Sequence, residues 1–163
     1  MREGGMSVTI RAYRPEDCRE ITELFYRTVH EVNAADYTKR QLDAWADGRP
    51  DLERWDASLR AHHAHHAHHA LVAEADGRIV GFGDIDDTGY LDRLYVHGEY
   101  QRMGIATALC DRLERKPGAG RLVTHASITA RPFFEKRGYR VERAQKVERN
   151  GVCMTNFVMV REA

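Results

Sequence analysis

At 163 residues, with 42% apolar and 31% charged side chains, the chain has material for one well-filled globular domain spanning residues 1–163. Its 25 Lys and Arg balance its 25 Asp and Glu, and a net charge of zero argues against a nucleic-acid or membrane-surface partner. No segment approaches the ~20 apolar residues needed to cross a bilayer, the N-terminal residues carry no apolar run of leader length, and three scattered cysteines, Cys18, Cys110 and Cys153, fit reduced thiols in a cytoplasmic protein.

Residues 7–13 alternate as a first strand. Pro15-Glu16-Asp17 then opens a helix with one apolar face, Cys18, Ile21, Leu24, Phe25, Thr28 and Val29. Two shorter helices are expected over residues 37–47 and 51–60, separated by Gly48-Arg49-Pro50. Trp45 and Trp55 on these helices suit a core role as well as a ligand role. Ala-His-His repeats three times from Ala61 to His69. Histidines three and four apart on a helix could share Zn²⁺ or Ni²⁺. The tract lacks a nearby cysteine and a shaped carboxylate set, so it reads as a solvated insertion over 61–70, dispensable for turnover, with no metal.

Beyond it, residues 71–74 and 79–85 form a hairpin about Asp76-Gly77, and Gly81 and Gly83 point to a bulge or a close backbone approach. After Asp86-Asp87-Thr88-Gly89, residues 90–96 form a central strand carrying Leu91, Leu94, Tyr95 and Val96. A polar turn over 97–102 leads to Gly104, which opens a helix with Ile105, Ala108, Leu109 and Leu113 on its apolar face, where Cys110 is a packing residue. A loop over 116–120, a strand over 121–127, a helix over 131–137 capped by Gly138, and a hairpin of 139–148 with 152–160 about Asn150-Gly151 complete the order. Antiparallel hairpins with one strand-helix-strand crossover give an α+β fold, a mixed and mostly antiparallel sheet of about seven strands with helices on both faces.

A strand that enters a glycine-containing turn at a helix N-terminus suits phosphate, because the first helical N–H groups lack partners and the dipole favours anions. Gln101-Arg102-Met103-Gly104-Ile105-Ala106 resembles the Gln/Arg-x-x-Gly-x-Gly/Ala motif of the GNAT superfamily of N-acetyltransferases. Residues 127–139 resemble that family's second signature, Asn-x-x-Ala-x-x-x-Tyr-x-x-x-Gly-Phe, with Ala130 and Gly138 matching. Ser127 stands for Asn, Phe134 for Tyr and Tyr139 for Phe. The element order resembles the family over nearly the whole chain outside the His tract.

The resemblance implies acetyl transfer from acetyl-CoA to a primary amine of a small molecule or peptide, with no metal required. It places the pyrophosphate on Gln101, Arg102, Met103, Gly104, Ile105, Ala106 and Thr107, and the pantetheine arm along Leu94, Tyr95 and Val96, with Ser127 and Phe134 also at the cofactor. The Val96 backbone N–H would hold the oxyanion. Tyr26, His30, Asn33, Tyr37 and Trp45 are candidate acceptor contacts; a homodimer stays open.

Simple alternation puts Tyr90, Asp92, Leu94 and Val96 on one face, with Asp92 its carboxylate and a candidate base. Its other reading is an exposed or ion-paired strand residue. His125 and His97 are alternative bases. Phe134 cannot donate the proton that the family's Tyr gives the departing thiolate. Water, Ser127, Tyr95 or Tyr139 could substitute. The same departure favours a second reading, a catalytically silent acyl-CoA-binding module.

Overall fold

The computed structural model of the protein describes residues 7–60, 62–63, 66–118 and 120–162. Its strands are β1 (Val8–Ala12), β2 (His62–His63), β3 (His66–Ala75), β4 (Arg78–Asp86), β5 (Tyr90–Val96), β6 (Arg121–Ser127), β7 (Arg140–Arg149) and β8 (Val152–Glu162). Its α-helices are α1 (Cys18–Glu31), α2 (Lys39–Trp45), α3 (Leu52–Leu59), α4 (Ile105–Leu113) and α5 (Arg131–Lys136). Seven strands lie in the order β1-β3-β4-β5-β6-β8-β7, and the two-residue β2 pairs with β3. Every pairing is antiparallel except β5 with β6, the two strands joined through α4. A helix can return a chain to a parallel neighbour, whereas a tight turn cannot.

Both faces of the sheet are covered. On one, Ile105, Leu109, Cys110 and Leu113 of α4 and Phe134 of α5 pack with Leu91, Val96, Val80, Ile85 and Met159. On the other, Ile21 and Leu24 of α1 and Leu59 of α3 pack with Val72 and Phe82. Cys110 lies in the first core with its thiol pushed up to about 12 by burial. Gly81 and Gly83 admit α4 to the sheet. A Cβ on Gly83 would stand 2.9 Å from the Arg93 carbonyl oxygen and 3.0 Å from Leu113. The strand also carries the expected bulge, since Val80 is left over between Ala73↔Gly81 and Glu74↔Ile79.

The hairpin tips obey local rules. Asn150 (φ 48°) and Gly151 (φ 79°) have the two positive φ angles of a type I′ turn. Thr38 caps α2 by accepting from the Gln41 N–H, and Gln41 returns the bond to Thr38. Pro15–Asp17 forms a 3-10 turn, so α1 itself begins at Cys18.

The His tract differs from its expectation. Ala61, Ala64 and His65 lie outside the described residues; His62–His63 is strand, β3 starts at His66, and its pairing with β4 begins within the tract at His68. His68 is buried, with Nε2 3.2 Å from the fully buried Asp84 carboxylate. Histidine has little strand signature in sequence, and its partner lies one strand away.

Candidate acyl-transfer site

The site begins with a register shift in β5. Leu91 pairs with Ile85 and Arg93 pairs with Asp84, which leaves Asp92 as the extra residue of a bulge. Asp84 stabilises this arrangement with its side chain. One carboxylate oxygen accepts the Arg93 backbone N–H at 2.9 Å, and the Arg93 guanidinium Nε donates to the other at 3.0 Å. Burial alone would raise the pKa of Asp84; Arg93 and His68 override it and hold the carboxyl below its usual range.

The bulge corrects the expectation that Tyr90, Asp92, Leu94 and Val96 share a face. Leu91, Leu94 and Val96 all belong to the α4-side core. Arg93 lies over the Trp55 ring, 5.0 Å from its centroid, and Tyr95 packs against Phe25 and Phe82 on the α1–α3 side. Alternation is therefore broken between Leu91 and Leu94, and Asp92 is separated from the face of Leu94 and Val96.

Pairing of β5 with β6 stops at the same place. Only Tyr90↔Val123 and Leu91↔Thr124 are paired, and the Thr124 hydroxyl donates to the Leu91 carbonyl at 2.9 Å. Past that point the strands part into a cleft of about 360 Å³. The N–H groups of Arg93 and His97 are directed at β4, to Asp84 and the Val80 carbonyl. Because successive N–H groups alternate along a strand, those of Leu94 and Val96 face the gap.

The gap opens at one end onto the turn before α4. Gly104 is left-handed at φ 83° and caps the helix without a side-chain bond; a Cβ there would meet no atom within 4 Å. The first intrahelical bond of that turn is Ala108 N–H to the Gly104 carbonyl, so the N–H groups of Ile105, Ala106 and Thr107 precede any helical acceptor. Arg102, at φ 62°, is a non-glycine in the same region, a strained conformation of the kind stored at functional turns. The turn is built from backbone. Ile105 has its side chain in the core, and the Gln101 amide donates back to the Val96 carbonyl at 2.6 Å. The side chains of Arg102, Met103 and Thr107 are exposed.

The cleft unites Asp92, Leu94, Tyr95, Val96, Gln101, Ala106, His125, Ser127 and Phe134. Ser127 accepts from Ala130 N–H at 3.0 Å and from the Asn33 amide at 3.4 Å, tying α1's end to the start of α5. Phe134 is buried between Phe133 and Tyr139. The Asp92 side chain is about half exposed toward the cleft, and its pKa is raised by burial and by the neighbouring Asp84 charge. His125 stands with its ring 5.1 Å from that of Tyr90; burial and Arg143 lower its pKa, favouring the neutral imidazole. Burial raises the Tyr95 hydroxyl to about 12.

Four anticipated residues are committed elsewhere. His97 is buried outside the cleft, its Nδ1 accepting from the Glu99 N–H. The Tyr139 hydroxyl donates to Glu114 at 2.7 Å. His30 bonds the Ala46 carbonyl at 2.8 Å, and Tyr26 stacks on it beside a separate hollow. Asn33, Tyr37 and Trp45 do line the cleft. Tyr37 uses its hydroxyl to bond the Thr155 carbonyl and the Ile128 N–H. Arg149, absent from the sequence expectations, also lines the cleft, with its guanidinium 5.4 Å from the Trp45 ring centroid. Its signal was its place beside the Asn-Gly turn, which swings the end of β7 toward α2. Among the described residues no group of three or more His, Cys, Asp or Glu is placed to hold a metal ion.

A mostly antiparallel sheet parted at one parallel pair, beside a glycine turn at a helix N-terminus, is an arrangement shared with solved acetyltransferases. The family profile described as an acetyltransferase (GNAT) domain matches residues 33–161. The uncharacterized N-acetyltransferase YafP of Escherichia coli (strain K12) is 35% identical over 153 residues, covering 94% of this chain and 95% of that one. A GCN5-related N-acetyltransferase structure from Rhodopseudomonas palustris shares 32% identity at TM-score 0.87, covering 98% of both chains. The PaiA N-acetyltransferase of Thermoplasma acidophilum, solved in complex with coenzyme A, shares the fold at TM-score 0.76 and 20% identity, over 97% of this chain and 100% of that one. The chain belongs to the GNAT family of N-acetyltransferases and is an acyltransferase.

Proposed function

We propose that the protein moves the acetyl group of acetyl-CoA to a primary amine of a small molecule or peptide by direct attack in a ternary complex. The observation that carries this reading is the continuity of the parted β5–β6 gap with the N-terminal turn of α4. Coenzyme A bound to the Thermoplasma PaiA enzyme, and acetyl-CoA bound to YncA of Salmonella typhimurium, support the choice of co-substrate.

In this reading the N–H groups of Ile105, Ala106 and Thr107 receive the pyrophosphate. Leu94 and Val96 bond the pantetheine arm, and the Val96 N–H receives the oxyanion. Asp92 takes the proton of the acceptor ammonium, since the neutral amine is the nucleophile. The N–C bond forms first, giving a tetrahedral adduct; its nitrogen then passes its second proton to water as the C–S bond breaks and the sulfur leaves as thiolate. Phe134 packs against the cofactor, and the Tyr95 hydroxyl or water returns a proton to sulfur. Burial keeps the Tyr95 hydroxyl protonated at neutrality, so a proton is present there, and water restores it after transfer. A cytoplasmic location fits the three free cysteines and the use of coenzyme A.

An amine screen with free-thiol detection tests the reading, together with coenzyme A binding to Gly104→Val. Amine-dependent thiol release is expected. The folded variant should lose at least about tenfold in affinity, because a β-branched residue at φ 83° distorts the turn and blocks backbone approach. Undiminished affinity in the folded variant would remove the basis for the pyrophosphate assignment.

A further inference from the structure

The acceptor half of the cleft carries opposite charges on two different strands, Asp92 on β5 and Arg149 on β7. Asp92 is the carboxylate among its described lining residues, and Arg149 is the guanidinium. Arg149 is held by more than its own strand. It is the last residue of β7 and pairs with Val152. The next residue, Asn150, donates its side-chain amide to the Ala44 carbonyl at 2.7 Å, fastening the hairpin tip to α2. Trp45, at the end of α2, supplies the ring over which the guanidinium lies. Among the described residues Arg149 forms no ion pair, with Asp92 or with any other carboxylate, whereas Arg11, Arg93, Arg121 and Arg137 all do.

Its charge is nevertheless felt inside the cleft. Arg149 lowers the proton affinity of the Tyr37, Tyr90 and Tyr95 hydroxyls against the stronger effect of burial. At Tyr90 and Tyr95, Asp92 acts with the opposite sign. Both tyrosines therefore lie within the fields of the anion and the cation, which do not touch each other.

On this geometry, and resting on the acetyl-transfer reading above, we infer that the acceptor is an amino carboxylate whose ammonium faces Asp92 and whose carboxylate is gripped by Arg149. A guanidinium offers two parallel N–H donors that match a carboxylate. One cation balances one negative charge, which favours a carboxylate over a phosphate dianion. The Trp45 ring on the underside of Arg149 limits the directions in which it can turn.

The experiment compares 5-aminopentanoate with pentylamine, amines of equal chain length that differ by the carboxylate. The ratio of their kcat/KM values is measured for wild type, Arg149→Gln and Arg149→Lys. Wild type should favour 5-aminopentanoate by roughly ten- to a hundredfold, the worth of a charged hydrogen-bonded contact. Arg149→Gln should bring the ratio near unity, and Arg149→Lys should fall between. Equal use of the two amines by wild type, or a ratio unchanged in Arg149→Gln, overturns the inference. Calorimetric binding of both amines to the coenzyme A complex separates this from failure of the acetyl-transfer reading. If no amine is acetylated, selective binding of 5-aminopentanoate that is lost in Arg149→Gln still supports the carboxylate grip, and its absence in wild type refutes it.

Discussion

The two halves of the cleft are made differently. The half proposed for the cofactor is backbone: one strand edge, one left-handed glycine and the first N–H groups of α4, all within residues 94–107. The half proposed for the acceptor is side chains: Asp92, Tyr90, His125, Trp45 and Arg149, drawn from α2, β5, β6 and β7. Backbone sites tolerate side-chain variation so long as the turn forms, whereas side-chain sites depend on register and on buried charges. Asp92 reaches the cleft because Asp84 takes the Arg93 N–H and lets β5 bulge. A charge in the second half thus depends on a network of Asp84, Arg93 and His68, to which the first half has no counterpart among the described residues.

The largest effect expected from breaking that contrast is on turnover. Asp92→Asn keeps the shape of the bulge and removes the proposed base, so the rate should drop by roughly 10²–10⁴-fold with coenzyme A affinity retained. Asp92 acts as a base only when ionised, and its pKa is raised, so activity should climb with pH through that raised value. The Asn variant should lose this acidic limb. A variant that keeps both the limb and most of the rate would turn attention to His125.

Next comes stability. Arg93→Met leaves Asp84 buried with, among the described residues, only His68 as a charged partner, and breaking a buried pair this way typically costs about 3–5 kcal/mol. Denaturant unfolding measures it. A loss below about 1 kcal/mol would mean that Asp84 is solvated or protonated and does not hold the bulge.

The smallest effect is tied to pH. Burial disfavours a charged His68, but Asp84 outweighs it and raises the His68 pKa above the ordinary value near 6.5. A raised histidine pKa contributes stability that is complete below the unfolded value and disappears as pH climbs through the folded one. The melting-temperature difference between wild type and His68→Gln should therefore be greatest in mild acid and shrink above neutrality. A difference that grows with pH would show that His68 is neutral in the folded protein.

Residues 90–109 explain why so much was legible. A strand, a glycine turn and a helix N-terminus are contiguous in the chain, and their chemistry is that of backbone groups whose positions follow from local conformation. The hairpin at Asn150-Gly151 and the crossover through α4 are equally local. What the sequence by itself determined was therefore the element order, the mixed sheet and the glycine turn at the helix N-terminus. Tertiary structure alone decided the face of Asp92, the burial of His68, the engagement of His97 and Tyr139 outside the cleft, and the arrival of Arg149 on Trp45. The physical reason is shared. A one-residue bulge reverses the alternation from which faces are read, and a side chain's partner across strands or helices is set by packing rather than by its neighbours in the chain.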